Sequence, residues 1–311
     1  MNTFSWGTET VKSATGSQLH TYGSAPQNPK AIVQINHGMA EHAGRYERFA
    51  ETLFNAGFGV YAHDHRGHGK TTASDASQGL FAKTDGWSKV LQDVGHINEH
   101  IRAAYPNTPI ICFGHSMGSI IAYNFALRNA EKIQGLALWN AGVDAGLLAK
   151  LYGTILRTER FFKGSDVPSG IAKKLTFDTW NKTFAPNRTD YDWLSHDEAE
   201  VDKYVNDPMC GFDVTIGLWL DVLDGINFAA LDANMRDLNK NFPIHLLAGD
   251  KDPCTENGKS VANIDYRMRK FGMTNVTFEL LKDTRHESLN ELNRDETTRQ
   301  FIAWLNAQFT A

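Results

Sequence analysis

The chain of 311 residues is 41% hydrophobic and 22% charged, which suits one large globular domain or a domain carrying a substantial insertion. Its 31 basic and 36 acidic side chains give a formal charge of −5, so nothing in the balance draws it to nucleic acid or to anionic lipid. Three widely spaced cysteines, Cys112, Cys210 and Cys254, form no CxxC pair, which excludes a disulfide framework and a structural zinc site and suits a reducing compartment.

In chain order, the start MNTFSWGTETVKSATG has no basic segment followed by an apolar run, and no stretch approaches the roughly 18 apolar residues of a membrane span. A soluble, cytoplasmic protein is expected. Phe4 to Val11 and Gln18 to Tyr22 suit an antiparallel edge. Short runs rich in Val, Ile and Phe follow as strands: Ala31–Asn36, Phe58–Asp64, Pro109–Gly114, Ile133–Trp139, Phe242–Gly249 and Val276–Leu281. Their near-continuous apolarity predicts burial on both faces. Helical spacing predicts helices over Gly44–Asn55, Gly86–Ala104, Met117–Asn129, Lys259–Phe271 and Asp295–Phe309. This alternation is the α/β signature.

Between about Gly142 and Lys240 the alternation stops, helical patterns follow one another, and Trp180, Trp193 and Trp219 are scattered among them. With no Pro/Gly-rich linker at either end, residues 142–240 read as a helical cap packed on a core made of 1–141 and 241–311. Within it, Leu147, Leu148, Leu151, Tyr152, Ile155 and Leu156 share one helical face, while Lys150, Arg157, Arg160 and Lys163 lie mainly elsewhere. Packing on the core explains this stripe. A basic-flanked amphipathic helix also suits transient contact with a membrane surface.

The sequence FGHSMGS places Ser116 in a GxSxG pattern between the strand PIICFG and the helix MGSIIAYNFAL. Glycine-flanked serines also occur in plain turns, but after a buried strand the pattern describes a nucleophile elbow. A serine hydroxyl needs a base and an orienting acid, which follow it in the order acid, then His. His286 lies in the loop after the last strand and is the candidate base. Of Asp250 and Asp252 in the preceding loop, Asp252 is chosen as the acid, because Pro253 holds it extended, with Asp250 as a turn residue. The oxyanion donors are the Met117 N–H, directly after the serine, and the Met39 N–H, in the loop HGMAEHAGRY after the strand AIVQIN. No substrate-binding residue is legible.

His37, His42, His63, Asp64, His65 and His68 fall close together and invite a metal reading. Their spacing matches no helical HExxH, so loop hydrogen bonding is the better account, and neither a metal nor a cofactor is expected.

Taken together, HGMAEHAGRYERFA, DHRGHGKT, FGHSMGS, GDKDP and TRHESLNE resemble the monoacylglycerol lipase and lysophospholipase family of α/β-hydrolases, a branch grouped with serine aminopeptidases. The resemblance spans about residues 31 to 293. It implies a mostly parallel sheet flanked by helices, a helical cap over an acyl pocket, the triad Ser116, Asp252 and His286, and Met39 and Met117 as oxyanion donors. It also implies hydrolysis of lipid carboxylic esters, such as monoacylglycerols or lysophospholipids, through an acyl-enzyme on Ser116. A carboxylesterase, thioesterase or aminopeptidase using the same triad is the alternative, since fold and triad do not name a substrate.

Overall fold

The computed structural model describes residues 3–309. Eight strands form one sheet in the order β1-β2-β4-β3-β5-β6-β7-β8, with β1 Gly7–Lys12, β2 Gln18–Ser24, β3 Ile32–Asn36, β4 Gly59–His63, β5 Ile110–His115, β6 Gly135–Trp139, β7 Ile244–Gly249 and β8 Val276–Leu281. The β1–β2 and β2–β4 pairs are antiparallel and the rest are parallel, so the early hairpin is the antiparallel edge expected from sequence. Ten α-helices accompany it among the described residues: α1 Glu47–Asn55, α2 Gly86–Ala104, α3 Met117–Arg128, α4 Leu147–Lys163, α5 Gly170–Leu175, α6 Phe177–Lys182, α7 Glu198–Asn206, α8 Ile216–Ala229, α9 Lys259–Lys270 and α10 Arg294–Phe309. This is an α/β-hydrolase fold, with parallel strands joined by helical crossovers.

Strand alternation explains the two cores. On β3, β5, β6 and β7 the side chains of Ile32, Ile110, Cys112, Leu136, Leu138, Ile244 and Leu246 join α2, α3 and α9 on one face. Their neighbours Val33, Ile35, Ile111, Phe113, Ala137, Trp139 and Leu247 join α1 and α10 on the other. The outermost strand, β8, departs from the expected two-sided burial. It pairs only with β7, and Leu280 is 51% exposed. The helix expected from Gly44 begins instead with a 3-10 turn, Ala43–Tyr46, before α1.

Between β6 and β7 the chain forms α4 to α8 with no intervening strand. α8 packs on α2, α3 and α4, and its Gly225 carbonyl accepts a hydrogen bond from Asn124 of α3. Leu156, Ala172, Ile216, Trp219 and Val222 from this segment are continuous with the core around α3. One expectation is corrected here. The α4 stripe read as a single packing face splits: Leu156 is buried and Tyr152 and Ile155 half-buried, whereas Leu147 and Leu151 are 82% and 57% exposed. With Phe161 and Phe162, also exposed, they fall within an arc of about 100° on the helix. The inward face is offset from the stripe because α8 approaches α4 along Tyr152 and Leu156. The Leu148 side chain lies outside the described residues.

Candidate active site

Four loops meet at the carboxyl ends of the parallel strands, where an open α/β sheet gathers its chemistry. Ser116 stands between β5 and α3 with φ 54° and ψ −122°, a conformation that non-glycine residues adopt only under constraint. Packing supplies that constraint. A Cβ on Gly118 would lie 2.0 Å from the Asn36 carbonyl oxygen, and one on Gly114 would lie 2.2 Å from the Gly118 carbonyl oxygen. Ser119 Oγ pins the turn, donating to the Gly114 carbonyl at 2.6 Å or the Trp139 carbonyl at 2.8 Å and accepting from the Trp139 N–H at 2.9 Å. Gly118→Ala should therefore cost about 3 kcal/mol or more, because only backbone could move away. Gly95→Ala, mid-helix in α2 with Phe125 at 3.4 Å, should instead be neutral or stabilising by up to about 1 kcal/mol. Thermal denaturation of the two variants checks both signs.

His286 Nε2 is 2.9 Å from Ser116 Oγ, and His286 Nδ1 is 3.0 Å from both Asp252 carboxylate oxygens. Asp252 is fully buried, accepts the Cys254 N–H at 2.9 Å and faces Asn140 Nδ2 at 3.3 Å. Asp250 makes no such contact, and its carboxylate lies 3.7 Å from Lys251 Nζ. The three residues chosen from sequence are thus brought into hydrogen-bonded contact. Met117 is the first residue of α3, so its N–H lies outside the helical ladder. Among the described residues the Met39 N–H makes no internal hydrogen bond, and Met39, Ser116 and Met117 line one cavity of about 260 Å³. Beyond them the cavity wall is mostly apolar, with Tyr152, Phe177, Trp219, Leu223 and Ile226 contributed by the helical segment, and Asp144, Thr176, Glu256 and Ser260 are its polar members.

Several residues here escaped the sequence reading. Trp193, one of the scattered aromatics, packs on the His286 ring at 4.7 Å, and its carbonyl faces the His286 N–H. Asn140, at φ 55°, bridges Asp252 to Ser288 Oγ. Cys254 lines the cavity beside Asp252, where burial pushes its thiol well above the ordinary range. Glu41, Arg45 and Glu287 form a buried ion network behind the serine. Only the adjacency of Glu287 to His286 and of Cys254 to Asp252 could have suggested any of these from sequence.

In the histidine-rich loops, hydrogen bonding runs through His37 and Asp64, while the buried rings of His63 and His65 make no hydrogen bond among the described residues. His37 Nε2 accepts the His65 N–H at 2.9 Å, and Asp64 accepts the N–H groups of Ala43 and Lys70. Burial drives the His63 and His68 pKa values down to about 3 and about 4 and those of His37 and His65 well below the usual imidazole value, so all four are neutral. Two other sets of ligand-type groups lie within 4.8 Å of one another among the described residues. Asp252, Cys254 and His286 are the hydrogen-bonded carboxylate and imidazole already described together with a buried thiol. In the second, His42 Nε2 meets Asp207 Oδ2 at 2.9 Å and ties the Met39 loop to the helical segment, while burial keeps the Cys210 thiol protonated and Arg45 sets a cation against it.

Known proteins resemble this chain in sequence and in fold. Mouse monoglyceride lipase is 28% identical over 280 residues, covering 88% of this chain and 84% of that protein. A monoglyceride lipase homologue of monkeypox virus is 31% identical over 207 residues, 64% of each chain. The crystal structure of a thermostable carboxyl esterase from Bacillus coagulans superposes with a TM-score of 0.89 at 25% identity, covering 99% of this chain and all of that one. Residues 27–293 match the serine aminopeptidase, S33, family, and the chain therefore belongs to that family of hydrolases.

Proposed function

We propose that this protein is a serine hydrolase that cleaves carboxylic esters of lipids, monoacylglycerols foremost and lysophospholipids second. The observation that carries this reading is the Ser116–His286–Asp252 chain of hydrogen bonds opening onto a mostly apolar cavity. His286 takes the Ser116 proton as Oγ attacks the ester carbonyl, and the oxyanion forms between the Met39 and Met117 N–H groups. His286 then returns the proton to the leaving alcohol. Water, activated by His286, hydrolyses the acyl-enzyme, while Asp252 keeps Nδ1 protonated and balances the imidazolium.

Residues 142–240 act as the cap. Their apolar side chains line the acyl side of the cavity, which favours an alkyl chain over a charged group. The exposed Leu147, Leu151, Phe161 and Phe162, with Lys150, Arg157, Arg160 and Lys163 on the same helix, support transient contact of α4 with a membrane surface. Among the described residues no helix is long and apolar enough to cross a membrane. The three cysteines are unpaired, which supports a reducing, cytoplasmic setting.

Hydrolysis of monoacylglycerols and lysophospholipids of graded acyl length tests the reading. Turnover should be measurable on glycerol monoesters and should change with chain length once the chain outgrows the cavity. Weak glycerol-ester cleavage beside strong hydrolysis of an aminoacyl amide would replace it with a peptidase.

A further inference from the structure

We infer that His115 is an imidazolium and acts as a positioning residue for the Ser116–His286 pair. The inference rests on the proposed roles of those two residues, and its geometry stands apart from them. His115 is 5% exposed, directly precedes Ser116, and places Nε2 3.0 Å from the His286 carbonyl oxygen. A carbonyl only accepts, so Nε2 carries a proton. On the other side of the ring, Nδ1 lies 3.6 Å from Glu41 Oε1. A neutral ring protonated at Nε2 would turn a bare lone pair toward that carboxylate; the imidazolium turns an N–H toward it.

The surrounding charges lead to the same state. Glu41 and Glu287 are both nearly fully buried, and between them lies one guanidinium. Arg45 Nη1 is 2.6 Å from Glu41 Oε2 and 2.6 Å from Glu287 Oε1, and its Nη2 donates to Glu287 Oε2 at 2.7 Å. Two carboxylates and one Arg leave a buried excess of one negative charge, which a protonated His115 cancels. The other titratable groups facing this cluster are Tyr46, whose hydroxyl donates to Glu41 at 2.8 Å, His286, whose ring centroid is 5.0 Å from that of His115, Tyr204, whose ring lies 4.9 Å from the Arg45 guanidinium, His37 and His68 on the Glu41 side, and Cys210 and Asp207 on the Arg45 side. Burial opposes charge on His115, but Glu41 first and Glu287 next raise it above the usual imidazole value. Burial would likewise raise the Glu41 carboxyl, yet Arg45 and His115 hold it well below the carboxylate range.

The network reaches the backbone beside each catalytic element. Its imidazolium holds the carbonyl of His286, its Glu41 accepts the Gly38 N–H at 2.5 Å directly before Met39, and its Glu287 follows His286 in the chain. Nucleophile, base and second oxyanion donor are therefore fixed to one buried charge cluster, which sets their mutual distances before substrate arrives.

The test combines ring-nitrogen NMR with kinetics. In protein labelled with 15N-histidine, and with His115→Gln supplying the assignment, both His115 nitrogens should be protonated at pH 7; a neutral tautomer there overturns the inference. In His115→Gln, normalised to sites titrated by a fluorophosphonate, kcat should fall on the order of 10- to 100-fold with KM nearly unchanged. Unchanged kcat per titrated site, with only a lower Tm, would mean a purely structural role and would also overturn it. A raised pKa means that the charged form persists at neutral pH and is lost as pH rises through it. In Glu41→Gln the corresponding alkaline loss of kcat, and the loss of the second ring proton, should move to lower pH; an unmoved limb again counts against the inference. Absence of fluorophosphonate labelling in the wild type would instead refute the proposed hydrolase, leaving the NMR result to stand by itself.

Discussion

Ser116→Ala should lower kcat for ester hydrolysis on the order of 10⁶-fold and abolish labelling by a fluorophosphonate, while Tm changes by only a few degrees. The reasoning starts from the backbone. Ser116 is held at φ 54° by Gly114, Gly118 and the Ser119 hydroxyl, none of which the substitution touches, and alanine at this φ bears the same strain as serine. The loss is one hydrogen bond, Oγ to His286 Nε2 at 2.9 Å, at the edge of the cavity. What disappears is the oxygen that meets His286 Nε2 and lines one cavity with Met39 and Met117. Residual labelling of the variant would mean that another side chain carries the acyl group.

Asp252→Asn is expected to lower kcat on the order of 10⁴-fold with little change in KM. Both Asp252 oxygens lie 3.0 Å from His286 Nδ1, and the same oxygens face the Cys254 N–H and Asn140 Nδ2. All three neighbours are donors, so an amide NH2 in place of one oxygen would confront a donor whichever way it is turned. His286 would then be pushed to the tautomer with its proton on Nε2, pointing at Ser116 and unable to accept from it. Asp250→Asn serves as the control. Its half-exposed pairing with Lys251 at 3.7 Å is of the kind that contributes little, and activity should stay within about threefold of the wild type. A larger loss in the Asp250 variant than in the Asp252 variant would reassign the acid.

These two expectations also mark how far the sequence carries. Ser116, Asp252 and His286 were legible because each is tied to local chain chemistry: glycines where the backbone must approach closely, a proline that keeps Asp252 extended, and a histidine after the last strand. The strands were legible because burial on both faces demands uninterrupted apolar residues, and β8 departs from this because an edge strand has a neighbour only at β7, which leaves Leu280 open to solvent.

Contacts between distant parts of the chain left no such trace. Trp193 on His286, Asn140 on Asp252, and His115 with Glu41, Arg45 and Glu287 join residues up to 242 positions apart in sequence. Helical periodicity identified α4 as amphipathic, but which of its sides faces inward depends on where α8 lies. The strands, the strained turn at Ser116 and the choice of Ser116, Asp252 and His286 as candidates could be read from the chain alone, because strand burial, turn geometry and chain order leave local marks. The shape of the cavity at Ser116, the outward face of α4 and the ion network behind Ser116 emerge only from the folded chain, because each arises where side chains from separate elements exclude water together.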